Sequence, residues 1–389
     1  MKRIPVALAV SAAFAASAAH AQSSVTLYGL IDAGLMYTNN VKTSATAHGS
    51  LVQATSGNIN GSRFGMRGAE DLGGGLKAIF VLENGFNVQN GKLGQNGRMF
   101  GRQAFVGLSS EFGTVTLGRQ YDSLVDFVAP LSGTAGTFGD TGFAHPFDND
   151  NLNHTLRMSN AVKYTSSNYA GLKFGGLYAF SNSTDFTLNR AYSAGASFDY
   201  GPFKMAAGYL QINGNGAVPQ ANASGAVDLG EAASTTGGFR FGADVQRTFG
   251  AGLSYTFGPA VVGFVYTNSH YQGTQSFNLN NGSQHFDNYE LNAKYTLTPA
   301  VTLGITDTYT DAHLSGAFNA TGTKYGSDPK WNQVNLQAVY ALSKRTDVYA
   351  EGMYQHAIGQ NVVAFINTAG GASSTANQVV GTVGMRTRF

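Results

Sequence analysis

The sequence predicts an all-β protein: one antiparallel barrel of sixteen strands that crosses a membrane and encloses a polar interior. Three observations lead there. The first is the end of the chain, where Val379, Gly381, Val383, Met385, Thr387 and Phe389 alternate with Val380, Thr382, Gly384, Arg386 and Arg388. One face is mostly apolar and the other carries the cations, the pattern of a strand between two different solvents. The second is that this period of two recurs along the chain, while no apolar run beyond residue 21 is long enough for a membrane helix. The third is composition: 51 Gly, 26 Phe and 19 Tyr stand beside only 12% charged residues. Glycine permits curvature and close strand approach, and aromatic rings belt the interfaces of a membrane barrel.

The N-terminus reads as a cleaved export signal. Lys2 and Arg3 precede an apolar, Ala-rich stretch, 4–19, and Ala19-His20-Ala21 fits a small-x-small cleavage site. Residues 1–21 are therefore expected to be removed, leaving 22–389 as a single barrel domain. The full chain has 24 basic and 22 acidic residues, and loss of Lys2 and Arg3 leaves 22 of each. A neutral mature chain argues against a nucleic-acid partner, which needs a basic face. There is no cysteine, so no disulfide framework supports the exported chain.

Connections of two kinds alternate from there. Short ones, rich in Gly, Pro or Asn, occur at 71–75, 111–113, 168–171, 200–202, 257–259, 297–299 and 342–345. Each separates two alternating runs and reads as a hairpin turn. Long polar ones are expected at 39–61, 122–156, 213–238 and 359–376. Seven hairpins give fourteen strands; a first strand from Val25 to Thr38 and a last one over 378–389 complete sixteen. An even count puts both termini on the side of the short turns, which in such barrels is periplasmic. Charge fixes the faces, because a charge on lipid costs roughly 2–4 kcal/mol at the midplane. Arg63, Gly65 and Arg67 must then face the lumen and Met66 the lipid, while Asp32 places Val25, Leu27, Ile31, Leu35 and Tyr37 outside. Phe112, Tyr169, Tyr200 and Phe257 beside short turns suit an interfacial girdle. The sheet must close, since hydrocarbon cannot satisfy an open strand edge.

Several strings resemble general porins of the β-proteobacterial type. They are 23–34 (Ser-Ser-Val-Thr-Leu-Tyr-Gly-Leu-Ile-Asp-Ala-Gly), 62–78 beginning Ser-Arg-Phe-Gly-Met-Arg-Gly, Arg-Gln-Ala-Phe-Val-Gly-Leu at 102–108, and Gly-Thr-Val-Thr-Leu-Gly-Arg-Gln at 113–120. Asn-Ala-Val-Lys-Tyr at 160–164, Leu-Ser-Lys-Arg-Thr at 342–346 and the terminal Arg-Phe continue the likeness across the mature chain. The resemblance implies a trimeric outer-membrane channel of a Gram-negative bacterium whose third loop, here 122–156, folds into the barrel. It implies a constriction between acidic residues of that loop (Asp122, Asp126, Asp140, Asp148 and Asp150) and a ladder of wall arginines. The matching positions are Arg63, Arg102 and Arg157, with Arg67 and Arg119 as further candidates. It also implies that Phe389 is the signal read by the barrel-insertion machinery. The partners expected are small hydrophilic solutes, inorganic ions and outer-membrane lipid; no cofactor or metal is expected.

A cationic wall facing an acidic loop orients polar solutes and, with closely spaced arginines, favours anions. Two rival readings remain. A solute-specific channel would line its lumen with a run of aromatic rings, and a barrel-borne enzyme would carry a catalytic constellation. No His-Glu-x-x-His spacing and no nucleophile-elbow context occurs, and Gly73, Gly74 and Gly75 form a turn without the Gly-Lys-Ser/Thr of a phosphate loop. His145, His154 and His285 are expected to be solvated loop residues.

Overall fold

The computed structural model describes residues 24–44, 47–137, 141–215, 225–227 and 242–389. The export signal lies outside the described residues. The strands are β1 (Ser24–Lys42), β2 (His48–Ser56), β3 (Arg63–Gly73), β4 (Leu76–Gly85), β5 (Gln103–Ser110) and β6 (Gly113–Gln120). Then follow β7 (Met158–Ser166), β8 (Leu172–Ala179), β9 (Ala191–Tyr200), β10 (Phe203–Asn215), β11 (Ala243–Phe257) and β12 (Ala260–Thr274). The last five are β13 (Leu279–Thr298), β14 (Val301–Phe318), β15 (Lys330–Ala341), β16 (Thr346–Ile358) and β17 (Asn377–Arg388).

All belong to one antiparallel sheet in which consecutive strands pair. The sheet closes where β17 meets β1, from Leu30↔Arg388 to Thr38↔Val380. β2 and β3 are two halves of one stave: β1 pairs with β2 from Ala33↔Ser56 upward and with β3 from Leu30↔Arg63 downward. Seventeen segments thus make the sixteen staves read from the sequence. All seven short connections fall between paired strands where the turn residues place them. Among the described residues no helix is long and apolar enough to cross a membrane.

The barrel is inverted relative to a water-soluble one. Leu291, Ile305, Leu336 and Val383 are exposed, whereas their neighbours Glu290, Asn292, Thr306, Asn335 and Thr382 are buried. That is the parity the lipid demands. The end strand follows it: Val379, Val383, Met385 and Phe389 are exposed and Val380, Thr382 and Arg386 buried. Phe112, Tyr169, Tyr200 and Phe257 are all exposed beside their turns. Phe389 completes the seam by exchanging two backbone hydrogen bonds with Gly29, each 3.0 Å. Its ring lies where a Cβ on Gly29 would come within 2.5 Å of a ring carbon, so the glycine makes room for the terminal aromatic.

One boundary differs from expectation. The stretch 39–61 is not a loop: β1 runs to Lys42 and β2 occupies His48–Ser56. Its alternation is carried by polar residues, which hid it from a hydrophobic pattern; after β2 the chain leaves the ladder again at 57–62. The connection expected at 213–238 begins after Asn215, and β11 starts at Ala243.

Candidate functional site

The connection between β6 and β7 is built to lie against protein. Asp122 accepts hydrogen bonds from the backbone N–H of Leu124 (2.8 Å) and Val125 (3.4 Å), and from the side chain of Asn151 (2.8 Å). It thereby caps a single π-helical turn, Leu124–Val128, which runs into a 3-10 turn, Ala129–Leu131. Burial pushes the Asp122 carboxyl up to about 6, against the opposing effect of those bonds. Leu124, Phe127, Val128 and Leu131 pack with Leu177, Leu210 and Val265. A trough receives them. Gly175, Gly195, Gly208 and Gly250 lie side by side across β8 to β11. A Cβ on Gly195 would sit 2.7 Å from Phe127, and one on Gly250 3.0 Å from Leu124. Bare backbone is what lets the turn approach this closely.

Further along, His145 is fully buried between two carboxylates, which corrects its expected solvated role. Its Nδ1 lies 2.5 Å from Asp150 and its Nε2 3.0 Å from Glu290 of β13. Asp150 also accepts from Thr267 (2.6 Å), and Glu290 from the backbone N–H of Gly133 (2.8 Å). Burial disfavours the imidazolium, but Asp150 and Glu290 outweigh it and raise the His145 pKa to about 10. For Asp150 burial works upward, and His145 reverses it to leave the carboxyl below its ordinary range. No signal in the sequence pairs His145 with a residue 145 positions away. Asp148 is turned inward upon its own connection, accepting from Asn153 and Thr155. The side chains of Gln333 (2.9 Å) and Asn367 (3.1 Å) reach the carbonyls of Gly142 and His145. Strands β12, β13 and β15 and the last connection therefore all hold this segment.

The arginines fall into three settings. Arg102 is buried, with its Nε 2.7 Å from Glu83 and its guanidinium donating to Tyr121 at 3.0 Å. Arg157 stacks 5.5 Å from the Tyr121 ring centroid and donates to the Thr155 carbonyl. Arg63 opens β3 at the same end of the barrel. His154 joins this cluster, 3.4 Å from Arg102. Burial, and then the charges of Arg102, Arg157 and Arg63, hold it well below the ordinary histidine range, so it is a neutral imidazole among three cations. Arg119 instead donates to the carbonyl of Gly101 (2.7 Å) and to Ser159 (2.8 Å), tying strand ends together. Arg67 is exposed, its guanidinium 5.4 Å from the Tyr28 ring centroid. Asp126 pairs with Lys163 at 2.6 Å. Asp140 lies outside the described residues. Sequence reading missed Arg386 as a site residue; it forms a two-point ion pair with Asp347 (3.1 and 3.2 Å), while Arg388 reaches the same carboxylate at 2.8 Å.

Two cavities border this arrangement. One of about 210 Å3 lies between Ile59, Asn60, Gly61 and Arg63 on one side and Val125, Pro130, Thr134 and His154 on the other. A second, of about 500 Å3, is lined by Asp126, Lys163, Lys173, Asp199 and Lys204. Among the described residues no group of His, Asp and Glu is placed to hold a metal ion.

A family model described as "Gram-negative porin" matches residues 7–360. An outer membrane porin protein of Bordetella pertussis is 33% identical over a 391-residue alignment that covers 91% of this chain and 94% of that protein. The chain belongs to the Gram-negative porins. It is accordingly an outer-membrane channel for small hydrophilic solutes. This porin is also similar to the major outer membrane protein P.IB of Neisseria meningitidis serogroup B, at 27% identity over 95% of this chain and 98% of the other. An anion-selective porin from Comamonas acidovorans shares its fold, with a TM-score of 0.72, 24% identity, and coverage of 95% of this chain and 100% of that one. The trimer form of OmpT from Vibrio cholerae does so at a TM-score of 0.64 and 17% identity, covering 94% and 99%.

Proposed function

We propose that this porin is a general diffusion pore whose lumen is narrowed between the 121–157 connection and the wall bearing Arg63, with a weak preference for anions. The observation that carries the reading is the cavity of about 210 Å3 that has Arg63 on one side and residues of that connection on the other. Arg102, Arg157 and the neutral His154 adjoin it, so the local surplus of charge is positive. Net charge of the mature chain is zero, and selectivity must come from such a local ring. Asp126, paired with Lys163, supplies an acidic group on the connection. The likeness to the anion-selective porin from Comamonas acidovorans agrees with the sign. A homotrimer is part of the same reading, in keeping with a neighbour of trimeric form.

The test is the reversal potential across a planar bilayer under a salt gradient. Arg63→Gln with Arg102→Gln should move it toward cations, most at low salt where screening is weak. Barrel yield should stay near that of the unaltered porin. An unchanged potential would place these side chains outside the ion path. Liposome swelling with a sugar series separates the general pore, which grades solutes by size, from a solute-specific channel, which favours one.

A further inference from the structure

The second stave is broken where an unbroken strand could have paired with β1 throughout. Between the pairs Ala33↔Ser56 and Leu30↔Arg63, β1 contributes two residues and the facing chain six. A plain strand would need two. The additional residues leave the ladder as an excursion, 57–62, and a dedicated set of groups holds it. Asp32, fully buried, accepts from the backbone N–H of Ile59 and of Asn60, both 3.0 Å. Tyr349 donates to its other oxygen at 2.6 Å. Ser62 replaces lost ladder bonds by donating to the Asp32 carbonyl and accepting from its N–H, each 3.0 Å. Gly57 turns the chain at φ +77°. Burying a carboxylate for this purpose is costly unless it is well bonded, and a regular ladder would avoid the cost altogether.

The excursion points at the 121–157 connection. The Asn58 carbonyl accepts from Thr141 through both its N–H (3.0 Å) and its hydroxyl (2.7 Å). Ile59, Asn60 and Gly61 line the cavity of about 210 Å3 opposite Pro130 and Thr134. Asn60 accepts from Arg386 at 2.5 Å, so its amide stands between the cavity and the Arg386–Asp347 pair. We propose that the 57–62 excursion is a second selectivity element of the channel, a wall-side jaw whose width is held by the buried Ile59 packed beneath it and whose charge is set by the half-buried Asn60. This rests on the reading that the cavity lies in the constriction.

Size and charge give separable tests in the full-length porin. A negative unit charge about 4 Å away in water favours a cation about fivefold and disfavours an anion about fivefold. Asn60→Asp puts a carboxylate at the cavity wall and should move the cation-to-anion permeability ratio toward cations by at most about thirtyfold, with Arg386 beside it reducing both effects. Asn60→Lys should move it the other way. Ile59→Ala should speed swelling with larger neutral sugars and leave the reversal potential alone. A purely structural excursion predicts no change in either readout once the heat-modifiable folded band is normal, and that result overturns the proposal. Should one variant fail to fold, either of the others decides. Arg63→Gln is measured alongside: a shift there with none at Asn60 sinks the jaw alone, and no shift in either sinks the constriction reading with it.

Discussion

Replacing His145 with alanine should release the 121–157 connection while the barrel stays closed. His145, Asp150 and Glu290 are all fully buried, and the imidazolium touches both carboxylates, at 2.5 and 3.0 Å. Removing the cation strands two buried anions, a change that costs about 3–5 kcal/mol for a buried pair. A second route gives the same size. The pKa of His145 rises from 6.5 to about 10; at about 1.4 kcal/mol per unit that is a ceiling near 5 kcal/mol. The sign follows from linkage. Because the pKa is raised when the lock is made, the contribution of His145 is complete below pH 6.5 and is lost as pH climbs toward 10. Asp150 is depressed below 3.8, so its contribution is complete above that value and is lost as pH falls through the depressed pKa. Limited proteolysis of the folded porin and single-channel current noise read the release; the heat-modifiable band reads the barrel. His145→Ala should be cut faster within 121–157 and should flicker at neutral pH. In the unaltered porin flicker should grow from about pH 7 to 10, and the variant should lose that dependence. Equal protection of both proteins, or noise that is flat to pH 11 in the unaltered porin, would refute the lock.

Other changes address the seating and the seam. Gly195→Val should force the Leu124–Val128 turn off its trough, because even a Cβ there meets Phe127 at 2.7 Å. Overpacking of that kind costs about 1–3 kcal/mol, so conductance histograms should broaden and the band of folded barrel should persist. Deleting Phe389 should lower the folded population in the outer membrane, since it removes both seam bonds to Gly29 and the aromatic the insertion machinery is expected to read. Normal yield in the deletion would count against both roles. Asp32→Asn should loosen the 57–62 excursion, raising permeability to neutral solutes, because a neutral amide accepts more weakly from Ile59 and Asn60 than the carboxylate does.

What the sequence disclosed and what it withheld divide along a physical line. Strand parity is local: Val383 and Thr382 differ by one position, and lipid punishes a charge on the wrong face, so alternation alone placed the faces of the last strand. Turns are local too, and Gly, Pro and Asn at 200–202 or 257–259 mark them by their backbone preferences. The anchoring of the 121–157 connection is not local. Asp150 meets Thr267 and His145 meets Glu290 only because the barrel brings β12 and β13 beneath the connection. Nothing in the spacing of a histidine distinguishes a solvated one from one held between two buried carboxylates. The glycine trough was visible only as an abundance of glycine. Its meaning needs the register that aligns Gly175, Gly195, Gly208 and Gly250. The 57–62 excursion escaped for a different reason. Polar residues such as His48, Gln53 and Thr55 form β2 with the correct period but without the hydrophobic contrast that reveals it. A polar lumen lets a stave be polar on its inner face, and near the mouth on both faces. The 57–62 excursion is therefore written in one of the least hydrophobic stretches of the sequence, where a pattern read from apolar residues has least to say.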